Sequence, residues 1–308
     1  MSNEEIISWL LEGDVSIQYQ VYRDLLGEDK PELRNQIPDT GWGKQFLDKQ
    51  NPDGYWGYSY YQPKWISTHY TLLDLKYLQI PPDNTIIQKT LERVLKDEKG
   101  HDGGILPMGT TKKCDVCVNG MALQLLTYFQ QNEEDLKSVV DFILSEKVGD
   151  GGFNCQSNRQ GCHHSSLHTT LSVLEGFFEY LNNGYTYRIK DILTAKKSSE
   201  EFILLHSLFR SDKTGEIINP NFLTFHFPVR WFYDIFRGLE YFAKSEYPYD
   251  TRMQEALDIL LRKKTKDGLW KMVSPYAGLN HFIMEKAGTP SRWNTLRALR
   301  ILSYYFET

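Results

Sequence analysis

Long apolar runs are what this 308-residue chain most clearly lacks. Its longest ones, such as residues 202–205, fall far short of the roughly 20 residues that a bilayer-spanning helix needs. A basic excess is missing too. The chain carries 35 Lys and Arg against 40 Asp and Glu, which argues against a protein that holds nucleic acid by charge. The opening Met1-Ser2-Asn3-Glu4-Glu5 is acidic and has no apolar signal core, so the expectation is a cytoplasmic protein with reduced thiols. Strand-like alternation is nearly absent, which points to an all-α fold. Cysteine is scarce, but all four cysteines fall between Cys114 and Cys162. In a reducing compartment such clustering suggests a metal before a disulfide.

What is present is a repeat. Residues 3–12 and 15–26 first read as two helices, with Leu10, Leu11, Val15, Ile17, Val21, Leu25 and Leu26 supplying apolar faces before Gly27 and Pro31 break the pattern. Then a marker recurs, Asp-Gly followed by aromatic or apolar residues. It appears as Asp53-Gly54-Tyr55-Trp56, Asp102-Gly103-Gly104-Ile105, Asp150-Gly151-Gly152-Phe153 and Asp267-Gly268-Leu269-Trp270, with a degenerate copy at Asp212-Lys213-Thr214-Gly215. The spacings of 49, 48, 62 and 55 residues give a period of about fifty with one insertion. Each glycine is expected to supply a positive φ, and each aspartate to accept backbone N–H groups in the turn.

An amphipathic helix precedes each marker and a more apolar one follows it, as in Val118, Met121, Ala122, Leu125, Leu126 and Phe129. Such pairs bury their stripes only by stacking. The inner helices are too apolar for an open wet groove. The expected architecture is therefore an α/α toroid of about five helical pairs plus an N-terminal helical pair. It forms one domain over 1–308, with 1–39 as a helical extension packed on it. The starts of the inner helices would gather at one mouth. Pro228, in His226-Phe227-Pro228, suits the first turn of the fourth inner helix.

The chemistry concentrates at that mouth. Cys114-Asp115-Val116-Cys117, then Cys155, then Cys162-His163-His164 and His168 offer sulfur and nitrogen ligands of the kind zinc prefers. Cys114, Cys117, Cys155 and Cys162 would make a closed, structural site. A mixed set drawing on Asp115, Cys117, Cys155, Cys162 and a histidine would leave one position open for chemistry. Asp115, His164 and His168 are then candidate catalytic groups, with His164 and His168 spaced one helical turn apart. His69, Arg230, Trp231, His281 and Arg292 also fall near inner-helix starts and would line a cavity. Aromatic walls suit apolar ligands, and guanidinium forks suit a diphosphate or carboxylate. The plainer alternative is that these aromatics fill a narrow centre.

Asp-Gly-Gly-Phe between paired helices, with its Trp variants, resembles the terpenoid cyclase and protein prenyltransferase superfamily over about residues 40–308. The chain is also similar to uncharacterised bacterial proteins with prenyltransferase and squalene-oxidase-type repeats. The resemblance implies a toroid with a central active site, zinc on Asp115, Cys117 and His164, and diphosphate contacts at Lys112 and His69. It implies a transferase of the prenyltransferase type acting on an isoprenoid or other apolar ligand. Those transferases need an α subunit, so a protein partner is implied as well. Cys114, Cys155 and Cys162 depart from the pattern. The Asp-x-Asp-Asp of squalene-type cyclases and the Asp-Asp-x-x-Asp of ionising synthases are both absent, which argues against cyclase chemistry. Two other readings stay open. One is a non-catalytic binding or scaffold protein with structural zinc. The other is a polysaccharide-active enzyme on an α/α toroid.

Overall fold

Serine, aspartate and asparagine caps start many of the helices, as the sequence pattern requires. A computed structural model describes residues 1–108, 112–155 and 161–306, and the described residues form thirteen α-helices and no β-strand. Helix α1 (Asn3–Leu11) opens with a full capping box between Ser2 and Glu5, and α2 (Val15–Leu25) opens on Asp14. Two short helices follow, α3 (Pro31–Gln36) and α4 (Gly41–Leu47). Then come α5 (Thr68–Tyr77), α6 (Thr85–Asp97), α7 (Val116–Tyr128), α8 (Glu133–Ser145), α9 (Leu167–Asn182) and α10 (Ile189–Leu205). The last three are α11 (Ile235–Lys244), α12 (Gln254–Arg262) and α13 (Arg292–Phe306). No described helix is long and apolar enough to cross a membrane.

The five markers sit where the repeat puts them, between α4 and α5, α6 and α7, α8 and α9, α10 and α11, and α12 and α13. Their glycines Gly54, Gly103, Gly151, Gly215 and Gly268 all have positive φ, from 72° to 106°. Asp102 accepts the Cys114 N–H at 2.8 Å and Asp150 accepts the Ser165 N–H at 2.7 Å, so each ties the turn to the start of the next inner helix.

A second device recurs that the marker alone does not reveal. A polar side chain in the first turns of the inner helix takes the N–H of the last residue of the marker. Thr68 takes Trp56, Asn119 takes Ile105, Thr170 takes Phe153, and Thr295 takes Trp270. These N–H groups are buried, so leaving one unpaired costs on the order of 1–3 kcal/mol. Each latch therefore fixes the inner helix against its loop.

The inner helices are buried nearly all round. Every residue of α7 except Cys117 is buried. The packed neighbours run α4–α5, α5–α7, α7–α9, α9–α11, α11–α13, α13–α2 and α2–α4. The α7–α9 contact is the most intimate. A Cβ at Gly176 would lie 2.4 Å from the Gly120 carbonyl oxygen, and one at Gly120 would lie 2.6 Å from the Ser172 carbonyl oxygen. Backbone meets backbone there, which only glycine permits.

The fourth inner helix departs from expectation. It begins at Ile235, capped by Asp234, and residues 226–234 form an irregular segment. Pro228 is therefore not a first-turn residue. The segment instead carries Arg230 to Asp74 of α5, at 2.7 Å. The N-terminal pair is tied in by Gln20, which donates to the Tyr77 carbonyl and accepts from Arg300.

Candidate functional site

At the inner-helix starts the structure separates the four thiols into three places. Cys114 is fully buried, with its sulfur against the Gly100 backbone and its N–H on Asp102. Burial and the Asp102 carboxylate push its thiol up, towards the protonated form. Cys162 lies beside the Asn154 amide and the His164 carbonyl. Among the described residues Cys117 and Cys155 meet. Cys155 accepts the Cys117 backbone N–H at 3.0 Å and the Thr169 hydroxyl at 3.5 Å. The hydrogen bond between the two thiols, with these further donors, lowers the Cys155 pKa, and the same hydrogen bond with burial raises that of Cys117. Among the described residues no group of three or more His, Cys, Asp or Glu side chains is placed to hold a metal ion. One thiol pair supplies half of what tetrahedral zinc requires.

Most of the candidate catalytic and anion-binding side chains have structural partners. Asp115 is the residue before α7, and its carbonyl takes the Asn119 N–H and amide. His164 is exposed and lies ahead of α9, so it shares no helical face with His168. The latch residues put Cys117 in register with His168, each two residues before its latch. His168 accepts the Tyr233 N–H at 2.6 Å and packs against Trp231, Phe222 and Phe232. Burial, with help from Arg237, holds it down at about 4. His69 is fully buried, bonded to the Tyr60 hydroxyl at 2.8 Å, and pushed to about 3 by burial and Lys64. A neutral imidazole in that state gives an anion no charge. His281 pairs with Thr71 and is lowered to about 4, first by burial. Arg230 is committed to Asp74, whose carboxyl burial raises to about 6. Trp231 stacks on Phe232 at 4.0 Å. Arg292 leaves the centre altogether and binds the Trp9 carbonyl and ring on α1. Lys112 is exposed.

Between Trp65, Asp74, Arg230 and His281 lies a void of about 30 Å³, room for a water or two. A larger space lies beyond it. Side chains of α2, α3, α5, α7, α9, α11 and α13 surround a pocket of about 710 Å³. That lies within the range of small-molecule sites, roughly 300–1,000 Å³. Its deep wall holds the buried Phe227, Trp293, Arg297, Tyr128 and Lys76, and its rim holds the exposed Asn182, Asn183, Lys244 and Glu246.

The lining is strongly charged. Six cations face four carboxylates: Arg23, Arg34, Lys76, Lys244, Arg297 and Arg300 against Asp24, Glu179, Glu240 and Glu246. Lys76 pairs with Glu179 at 2.6 Å. Asp24 is shared by Arg23 and Arg300, both at 2.5 Å. Glu240 is shared by Arg297 at 2.9 Å, Lys244 at 3.4 Å and Arg300 at 3.5 Å. Although burial opposes it, this crowd of cations holds the Glu240 carboxyl far below its ordinary range. Below the pocket, Arg237 joins α11 to Glu175 of α9 at 2.6 Å, and Gln124 of α7 donates to the same carboxylate.

None of the pocket cations was singled out from the sequence. Their signal was there, as Lys76, Glu179, Glu240, Arg297 and Arg300 are charges within otherwise apolar inner helices. No family model matches this chain, and no curated protein is significantly similar to it.

Proposed function

We propose that this protein is an α/α toroid that binds a small polar molecule in the pocket that its inner helices surround. The circuit of packed neighbours from α2 through α4, α5, α7, α9, α11 and α13 back to α2 supports a closed ring. The five repeated turns with their latches support pairs of outer and inner helices. The observation that carries the binding reading is the 710 Å³ pocket lined by side chains of seven helices. An isoprenoid in the centre, with its head group on Lys112, His69 and Arg230, draws less support. His69 is neutral and enclosed, Arg230 is neutralised by Asp74, and the pocket walls are charged.

The test is ligand-observed NMR with a library of polar metabolites, isoprenoid diphosphates and oligosaccharides. The wild type is compared with Ser303→Trp, in which an indole fills the pocket from α13. Compounds that bind the wild type and are lost in the folded variant support the reading. Binding untouched by Ser303→Trp moves the site elsewhere. A second reading keeps zinc at the inner-helix starts, favoured by the meeting of Cys117 and Cys155. It needs two further ligands that the described residues do not bring together.

A further inference from the structure

The pocket is a place, and its walls say which chemistry belongs in it. Among the described residues five buried side-chain polar atoms have no hydrogen-bond partner: Ser67 Oγ, His69 Nε2, Trp293 Nε1, Arg297 Nη2 and Arg300 Nε. Three of the five belong to residues that line this pocket, and all three are donors. They come from one helix, at positions i, i+4 and i+7 of α13, and so share one face. At 1.5 Å per residue the row is about 10 Å long. Buried donors are rarely left unpaired, because each costs on the order of a hydrogen bond's desolvation.

We infer that this face of α13 is a recognition row for an anionic small molecule bearing carboxylate or phosphate oxygens, resting on the pocket being the binding site. Charge alone does not make the case. The inner helices end here, and their carbonyl ends already favour cations. The unpaired donors add what the helix ends do not explain. The local carboxylates are also over-subscribed. Asp24 and Glu240 together serve Arg23, Lys244, Arg297 and Arg300, four cations on two anions. A guanidinium has five N–H donors, so Arg300 can keep Asp24 and Gln20 on Nη2 and still offer Nε. Arg297 keeps Glu240 on Nε and offers Nη2. Trp293, stacked on Phe227 at 4.4 Å, holds its indole N–H in a fixed orientation with little entropy left to lose. An anion entering the row would balance the excess of cations. Neutral ligands would satisfy the donors but not the charge.

The test is isothermal titration with inorganic phosphate and with citrate, beside potassium chloride at matched ionic strength. Each is run on the wild type, on Trp293→Phe and on Arg300→Lys. Trp293→Phe keeps the aromatic stack and deletes one donor. Arg300→Lys keeps the charge and deletes the planar fork. The expected result is that one or both anions bind the wild type beyond the chloride effect. Affinity should drop about fivefold in Trp293→Phe and about tenfold or more in Arg300→Lys. A preference for phosphate or for citrate assigns the natural ligand to phosphorylated or carboxylated compounds. The inference is overturned if neither anion differs from chloride, or if both variants bind as the wild type does. Should the library screen yield only neutral compounds that Ser303→Trp excludes, the pocket stands as the site and the anion row falls.

Discussion

Replacing Gly176 by alanine sets two effects of opposite sign against each other. Alanine is the better helix former, by about 1 kcal/mol. Yet its methyl would sit 2.4 Å from the Gly120 carbonyl oxygen, where ordinary contact begins near 3.4 Å. The helices must part by about the 1 Å difference, since neither a backbone carbonyl nor a Cβ can rotate away. Helix α7 has no free side to retreat to, because all its residues but Cys117 are buried. Overpacking of this kind costs roughly 1–3 kcal/mol, and losing close contact along the α7–α9 seam adds to it. The net expectation is a loss of about 1–3 kcal/mol, read as a lower urea midpoint at unchanged m-value. The thermal midpoint should fall by roughly 2–4 °C for each kcal/mol. Gly149→Ala is the control, since nothing lies within 4 Å of a Cβ there and its φ is not positive. A Gly176→Ala protein as stable as the wild type, as helix propensity alone would give, refutes the argument.

Other expectations follow from single contacts. Thr170→Val keeps the shape but leaves the Phe153 N–H without a partner, at a cost of about 1–3 kcal/mol in chemical denaturation. A change within error would mean that the latch is replaceable. Arg230→Met strands the buried Asp74 and should cost about 3–5 kcal/mol near neutral pH. Asp74 already titrates at about 6, above its unfolded value. The stability it contributes is therefore fully present at low pH and lost as pH rises through the folded pKa. The deficit of Arg230→Met should accordingly shrink on acidification towards pH 4, and a deficit constant from pH 4 to 8 would contradict this. His168 goes the other way. With a folded pKa of about 4 against about 6.5 unfolded, its contribution is present above pH 6.5 and drains away as pH falls towards 4. His168→Asn, which retains an acceptor for the Tyr233 N–H, should flatten the stability–pH curve in that window by up to about 1.4 kcal/mol per pH unit. Metal analysis of protein purified without added zinc tests the zinc reading that the meeting of Cys117 and Cys155 favours: one zinc per chain, lost in Cys155→Ser, would support it, and a ratio well below one would remove it.

The repeat was legible because its physics is local. A positive φ demands glycine, and a short acidic side chain closes the turn, so Asp-Gly recurs wherever an outer helix hands over to an inner one. Helix type was legible for the same reason, since burial of one face or of all faces is written in the apolar spacing. The latches were readable only in retrospect. Thr68, Asn119, Thr170 and Thr295 differ in kind, and nothing in one repeat says that their side chains reach back to the marker.

The pocket was not legible. Clustered cysteines and histidines drew attention to the inner-helix starts, because residue type signals chemistry whatever the geometry around it. Whether four thiols converge depends on where the turn of Asp102 points Cys114 and where Asn154 holds Cys162. Those are long-range facts. Likewise Arg230 looked like a free cation until the segment before Ile235 carried it to Asp74. The sequence alone determined an all-α chain of five turn-linked helical pairs, since turns and apolar stripes are properties of neighbouring residues. Only the tertiary structure decided where aromatic rings fill the space and where a pocket stays open. It also set Trp293, Arg297 and Arg300 beside a pocket, because emptiness is a property of how distant helices fail to fill the space between them.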